Sequence, residues 1–204
     1  MRDVGCTGVT LRAISLLEEF ADQPDLLAEC MRFLRRELSG YASLWHLERA
    51  LETGDARAEL RAFADRLTRE VDAGVDTAAA LLAGRSGAFV TAPSSGITKR
   101  VLARLGRTAD SVEDAGTGLC GADAIGRDEI LNIVGTRDLA RRLPSVVVTT
   151  SDRFVPPDVF AGLGSPLFER IPLSSFEAVI VGNEVLTPAE AGARAAALAA
   201  PHPA

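Results

Sequence analysis

Small polar residues follow a short β-prone run near the middle of the chain. The run 88–91 is followed by Ser94, Ser95 and Gly96, and a helical pattern begins at Ile97. A strand end that leads into a helix start presents free backbone N–H groups and the positive end of the helix dipole, which together bind anions. We therefore predict an anion site here with two serine hydroxyls. The alternative is that Ser94 or Ser95 only caps the helix.

Asp123 follows a second short apolar run, at 119–122. A carboxylate at the end of a strand can bridge two sugar hydroxyls, or move a proton when burial tunes its pKa. Because the carboxyl ends of parallel strands share one edge of a sheet, we expect Asp123 to face the same edge as the serine turn. The alternative is an exposed loop aspartate, since Asp128 and Glu129 lie nearby.

A third polar segment, with Asn132, Gly135 and Thr136, is predicted to begin a helix over 132–143. Its amide, backbone and hydroxyl groups can close over a phosphate or sugar from the other side. Alternatively, Asn132 only caps the helix and Gly135 only allows close packing of the helix on the sheet.

The turn before the first helix is also suited to an anion, because Gly5 and Thr7 are small and lie close to a predicted helix start. Cys6 lies between them, and it is a nucleophile only if its thiolate is stabilised. Cys120 precedes Gly121 within a predicted strand, where we expect it to be part of the core.

The elements that position these residues differ between the two halves of the chain. Apolar residues recur at three- and four-residue intervals from 10 to 82, which predicts four helices in the first 85 residues. Short apolar strands alternate with helices from residue 88, which is typical of a parallel sheet covered on both faces. The predicted fold is α/β, with an N-terminal helical domain over 1–85 and a Rossmann-like ligand-binding domain over 86–204.

Composition excludes several kinds of partner. A net charge of −6 and a pI near 5.0 argue against a nucleic-acid surface, because phosphate backbones need clustered Lys and Arg. Three widely spaced cysteines and two histidines form no zinc motif, so we expect no metal, no cofactor and reduced thiols in the cytoplasm. No apolar stretch reaches the roughly 18 residues of a membrane helix, and no signal pattern is seen.

These motifs, in this order, resemble a family that joins the α, β and δ regulatory subunits of eukaryotic initiation factor 2B to two sugar-phosphate isomerases. The isomerases act on methylthioribose 1-phosphate and ribose 1,5-bisphosphate. The strongest similarity is GADAI at 121–125 followed by NIVGT at 132–136 and Leu-Ala at 139–140. Supporting similarities lie at 43–47, 90–96, 146–150, 168–172, 176–180 and 184–188.

The resemblance implies a site and shows where the chain departs from it. The family's isomerases convert a phosphorylated aldose to a ketose with a cysteine of a T-x-C segment and the aspartate of GAD. Asp123 matches that aspartate, but Pro93 stands at the cysteine position and Ile133 at the lysine of N-K-x-G-T. The short span from Leu105 to Leu119 predicts a fold one strand–helix unit shorter than the family, and the resemblance implies a homodimer.

Three functions follow from these patterns. The first is a sugar-phosphate isomerase-like protein that binds a phosphorylated sugar or nucleoside derivative, with Asp123 as acid/base and the ligand held by Gly5, Thr7, Ser94, Ser95, Gly96, Asn132, Gly135 and Thr136. The alternative is a non-catalytic ligand-sensing or regulatory module, which Pro93 and Ile133 favour. The third is an enzyme with new chemistry in which Cys6 or Cys120 replaces the missing thiol.

Overall fold

The computed structural model describes residues 5–52, 54–92 and 95–198. The four helices expected in the first half of the chain are present: α1 (Cys6–Glu18), α2 (Pro24–Glu37), α3 (Ser43–Leu51) and α4 (Ala56–Leu82). Local chemistry fixes two of their starts, because Pro24 occupies the first turn of α2 and the Asp55 carboxylate accepts a hydrogen bond from Ala58 N at the start of α4. No helix of the described residues is long and apolar enough to cross a membrane.

The helical region has its own apolar core. The three- and four-residue spacing seen in the sequence places one face of each helix inward, which is how amphipathic helices bury apolar area. The residues buried there from α1 to α4 include Ile14, Leu17, Leu27, Met31, Leu44, Leu47, Leu60, Phe63 and Leu67.

The described residues of the second half of the chain form eight strands and four α-helices. The strands are β1 (Ala88–Thr91), β2 (Ala115–Cys120), β3 (Ala124–Ile125), β4 (Glu129–Ile133), β5 (Ser145–Thr149), β6 (Phe168–Pro172), β7 (Ala178–Val181) and β8 (Glu184–Leu186). The helices are α5 (Gly96–Leu105), α6 (Thr136–Arg142), α7 (Pro157–Gly162) and α8 (Pro188–Ala197).

The main sheet has the strand order β1-β2-β5-β7-β8. The first four strands are parallel, and β8 is an antiparallel edge strand reached through a turn at Gly182, whose φ is 55°. The interior strand β5 is buried along its whole length, as expected for a strand covered on both faces. The α/β fold class with a helical N-terminal region and a mostly parallel sheet is confirmed.

A second, antiparallel sheet of order β3-β4-β6 corrects one prediction. Asn132 and Ile133 belong to strand β4, not to a helix over 132–143, and α6 begins only at Thr136. The reason is a ladder with β6 that runs from Glu129 opposite Pro172 to Ile133 opposite Phe168. The strand ends at Ile133, and Gly135, whose φ is 103°, turns the chain into the helix.

The long helix α4 joins the two cores. Its first half packs among the N-terminal helices, and Val71, Val75, Ala78 and Leu82 of its second half pack against the sheet and α5. The division into domains at 85/86 stays a prediction, and the packing shows that α4 contributes to both sides of that boundary.

Candidate functional site

A pocket of about 310 Å³ lies at the carboxyl ends of β2 and β5. Its walls come from the first turns of α1 and α5, from the loop after β2 and from the end of β4. Six of the predicted site residues line it: Gly5, Thr7, Ser95, Gly96, Asp123 and Asn132. Ser94 and Pro93 lie outside the described residues. The pocket is thus where the strand-end rule for α/β sheets places a ligand.

Two helix N-termini meet at this pocket. Gly5 at the start of α1 has no side-chain cap, and the pocket is lined by the first turn of that helix from Gly5 to Gly8. At the start of α5, Ser95 Oγ accepts a hydrogen bond from Thr98 N at 3.4 Å. Ser95 therefore caps the helix and also lines the pocket, so the two readings of this serine are compatible. Both helix ends direct positive partial charge at the cavity.

Close packing around Ser95 requires the glycine of the GAD segment. A Cβ at Gly121 would lie 2.9 Å from Ser95 Oγ, which is closer than real Cβ contacts. The absence of a side chain at Gly121 lets the capping serine and the loop after β2 form one continuous wall.

Gly135 and Thr136 do not line the pocket. Gly135 N and Arg137 N donate hydrogen bonds to Glu169 Oε1 at 2.9 and 2.8 Å, so a carboxylate of the chain itself occupies the start of α6. Thr136 Oγ1 accepts a hydrogen bond from Asn132 Nδ2 at 3.0 Å and donates one to Ile133 O at 2.8 Å. Thr136 thus orients the pocket residue Asn132.

Asp123 is buried, with only 7% of its surface exposed, which excludes the exposed-loop alternative. Its backbone is held on both sides, because Asp123 N donates to Leu131 O at 2.9 Å and Asp123 O accepts from Ala42 N at 3.1 Å. Burial raises the pKa of Asp123 to about 6, against the opposing effects of the Arg153 charge and a hydrogen bond from Cys6. A carboxyl group with this pKa can both accept and donate a proton near neutral pH.

Cys6 lies in the pocket beside Asp123, whereas Cys120 is buried in the sheet. Burial raises the pKa of the Cys6 thiol well above its usual value, although the nearby Arg153 charge opposes the shift. Its Sγ is 3.8 Å from Ser43 Oγ. Cys6 is therefore a neutral thiol near Asp123, not a thiolate nucleophile. Burial likewise raises the pKa of Cys120, to about 12.

A buried ion pair that the sequence motifs do not indicate lies at the pocket. Arg153 and Asp152 lie on a 3-10 turn just after β5, with Arg153 only 1% exposed. Arg153 Nη1 is 2.6 Å from Asp152 Oδ2, and Arg153 Nη2 donates to Thr7 Oγ1 at 3.4 Å. The available signal was their position directly after a predicted strand.

The ion pair is fixed by two neighbours. Thr150 Oγ1 donates to Asp152 Oδ1 at 2.5 Å. Glu70 of α4 accepts hydrogen bonds from Ser151 N at 2.6 Å and from Ser151 Oγ at 2.7 Å. Burial raises the pKa of Asp152, but the Arg153 charge and the Thr150 hydroxyl outweigh that effect and leave the pKa below its usual value. Asp152 is thus ionised at neutral pH.

An apolar rim borders the mouth of the pocket. Tyr41 and Phe168 line the cavity and meet edge to face with ring centroids 5.5 Å apart. Leu167, also at the pocket, and the neighbouring Val134 are 69% and 56% exposed, and Val134 N donates to Leu167 O at 3.1 Å.

The fold and the pocket define a class of α/β protein in which a helical region closes the strand ends of a mostly parallel sheet. No protein-family model matches the sequence, and no curated protein matches it significantly. Solved structures do match. The translation initiation factor eIF-2B of Pyrococcus horikoshii is 16% identical with a TM-score of 0.78, over 93% of this chain and 94% of that chain.

Two further structures share the fold. The 5-methylthioribose 1-phosphate isomerase of Pyrococcus horikoshii is 12% identical with a TM-score of 0.58, over 93% of this chain and 82% of that chain. A chain of the tetrameric eIF2B-beta2-delta2 complex of C. thermophilum is 13% identical with a TM-score of 0.65, over 93% and 88%. Initiation factor 2B subunits and a methylthioribose 1-phosphate isomerase, the two kinds of protein in the family that the sequence resembles, thus both have this fold. The expected loss of one strand–helix unit stays a prediction.

We predict that removal of the buried cation destabilises the protein strongly. In Arg153→Met the chain keeps a long side chain but leaves the Asp152 carboxylate buried and unpaired, so the free energy of unfolding should fall by about 3–5 kcal/mol. The matched control is Arg61→Met, which breaks the exposed pair with Glu18 and should cost less than about 1 kcal/mol. Urea unfolding measures both, and equal small effects would contradict the assignment.

A second prediction concerns pH. The pKa of Asp123 is 3.8 in the unfolded chain and about 6 in the folded protein. The raised pKa therefore adds its full amount to the free energy of unfolding below pH 4, and this amount is lost as the pH rises through 6. The free energy of unfolding of the wild type minus that of Asp123→Asn should therefore fall by up to about 3 kcal/mol between pH 4 and 7. Opposing contributions from His46 and Asp152, whose pKa values are lowered, cancel in this difference. A flat difference curve would rule out the raised pKa.

Proposed function

We propose that the chain binds a phosphorylated sugar or nucleoside derivative and acts as a sugar-phosphate isomerase-like protein. The observation that carries the proposal is the convergence of two helix N-termini on a pocket that also holds the buried Asp123. The first turns of α1 and α5 would take the phosphate, because free N–H groups and helix dipoles favour an anion there. Arg153, which already reaches Thr7, adds positive charge from the rear wall.

The chemistry that suits this site is aldose–ketose isomerisation. In ribose 5-phosphate a base takes the proton from carbon 2 of the open-chain aldehyde, the hydroxyl proton on O2 passes to O1, and the first proton returns to carbon 1. In the 1-phosphates O1 carries the phosphate, so the bond between carbon 1 and ring oxygen O4 breaks, O4 gains the proton that O2 loses, and the proton from carbon 2 returns to carbon 1. Asp123 would be that base and then that acid, since its pKa of about 6 makes both forms accessible. The neutral Cys6 thiol, which lines the same pocket, would provide a weak donor to this carboxylate.

The likeness of fold supports this proposal together with the motif. One solved neighbour is named a 5-methylthioribose 1-phosphate isomerase, and Asp123 stands at the aspartate of the family's GAD segment. We therefore propose membership of the initiation factor 2B family. Pro93 replaces the family cysteine, and in this proposal Cys6 places a thiol beside the same aspartate from another part of the chain.

The alternative is a non-catalytic ligand-sensing or regulatory module. It is favoured by Ile133, which lines the pocket where the family has a lysine, and by two exposed apolar residues, Leu167 at the pocket and its neighbour Val134. Exposed apolar patches beside a cavity suit contact with a partner chain. A homodimer in the cytoplasm is part of both proposals, and one neighbour is named as a tetrameric complex.

The test combines binding with turnover. Purified protein is titrated with 5-methylthioribose 1-phosphate, ribose 1,5-bisphosphate and ribose 5-phosphate while the melting temperature is followed, and each compound is then assayed for conversion to its ketose. We expect a concentration-dependent rise in melting temperature, as for any ligand that binds only the folded state. Asp123→Asn should lower turnover by about 100-fold or more, whereas the exposed control Asp128→Asn should leave turnover unchanged.

The outcomes separate the two functions. Binding together with turnover that depends on Asp123 supports the isomerase. Binding without turnover of any of the three compounds supports the sensing module. No shift in melting temperature with any of them would contradict both.

A further inference from the structure

One residue of the pocket wall, Thr149, has a buried hydroxyl without a partner. Thr149 is 3% exposed, and among the residues that the structure describes its Oγ1 is the one buried side-chain nitrogen or oxygen atom without a hydrogen bond. Other buried threonine hydroxyls nearby are paired: Thr150 donates to Asp152, Thr98 Oγ1 lies 2.5 Å from Thr91 Oγ1, and Thr136 donates to Ile133 O. The threonine without a hydrogen-bond partner is therefore one that lines the pocket.

Thr149 and the predicted acid/base Asp123 line the same pocket. Thr149 is the last residue of β5. Pairing of β2 with β5 ends with Cys120 opposite Val147. Thr149 follows Val147 by two residues and Asp123 follows Cys120 by three, so both residues lie just beyond the paired part of these two neighbouring strands.

A buried hydroxyl without a partner destabilises the folded chain. Water is lost from the hydroxyl and no hydrogen bond replaces it, so a side chain of the same shape without the oxygen is preferred on stability alone. Valine has that shape and is common in this strand, where it occupies 146–148. A threonine at this position in place of a fourth valine indicates a hydroxyl whose hydrogen-bond partner is not part of the chain.

We propose that Thr149 is a ligand-binding residue, whose hydroxyl bonds to a sugar hydroxyl next to the carbon atoms that Asp123 faces. This inference rests on the proposed function. A neutral hydroxyl both donates and accepts, which matches a sugar hydroxyl, whereas the helix N-termini provide for the phosphate. Thr149 thus selects ligands that carry a hydroxyl at that place, because a site that hydrogen-bonds a hydroxyl discriminates against analogues without it.

The experiment compares Thr149→Val with Thr149→Ser in the free and the ligand-bound protein. Thr149→Val removes the unpaired oxygen and should raise the melting temperature of the free protein by about 2–4 °C. The same variant should bind ribose 5-phosphate about tenfold more weakly, a change equivalent to about 1.4 kcal/mol. Thr149→Ser keeps the hydroxyl and should keep the affinity. Thr150→Val, which removes a paired hydroxyl, should lower the melting temperature.

The binding measurements and the melting temperatures can each overturn the ligand role of Thr149. A Thr149→Val protein that binds ribose 5-phosphate as tightly as the wild type would overturn the inference and leave the proposed function intact. A lower melting temperature for free Thr149→Val would overturn it as well, because the hydroxyl would then be paired within the chain. Wild-type protein that binds none of the three sugar phosphates, 5-methylthioribose 1-phosphate, ribose 1,5-bisphosphate and ribose 5-phosphate, would contradict the proposed function and, with it, the ligand role of Thr149.

Discussion

The buried ion pair between Arg153 and Asp152 is the constraint on which the site depends. Removing two charges from water costs several kcal/mol for each ion, and this cost is offset only when the geometry is good and further hydrogen bonds satisfy the charged groups. Here Thr150 supplies one of those bonds to Asp152, and Thr7 accepts one from Arg153. The pair therefore ties the end of β5 to the first turn of α1 and holds both walls of the pocket in one geometry.

The charge of Arg153 also sets the chemistry of its neighbours. It opposes the effect of burial on the pKa of Asp123 and of Cys6, and the balance of the two effects leaves the pKa of Asp123 at about 6. Glu70 extends this arrangement to the helical half of the chain, because it anchors Ser151 from the middle of α4. The site thus lies at the junction of the helical region and the sheet, and both halves of the fold are needed to build it.

Sequence patterns could place the strand-end residues but not their neighbours in space. Ser95 and Asp123 were predictable because each follows a short apolar strand, and parallel strands end at one edge. The local sequence pattern predicts a helix at Asn132, but Asn132 lies in a strand. That strand forms by pairing with β6, which is distant in the chain, so local periodicity does not reveal it. The partnership of Glu169 with the start of α6 depends on that same pairing.

The residues that shift the pKa of Asp123 could not be predicted from the local sequence either, because their effect depends on tertiary packing. The stretch Ser151 to Arg153 is polar and reads as an exposed loop, and only tertiary packing shows that Arg153 is buried. Cys6 was named as a candidate thiol, but more than a hundred residues separate it from Asp123, so its contact with that carboxyl group required the assembled fold.

The central claim is that burial and Arg153 together set the protonation of Asp123. Carbon-13 NMR of the carboxyl carbon of Asp123, assigned by comparison with Asp123→Asn and followed from pH 3 to 9, measures it directly. The account predicts a pKa of about 6 in the wild type and a higher value in Arg153→Met, where the opposing positive charge is lost. A pKa near the ordinary 3.8 in the wild type, or the same value in both proteins, would contradict it.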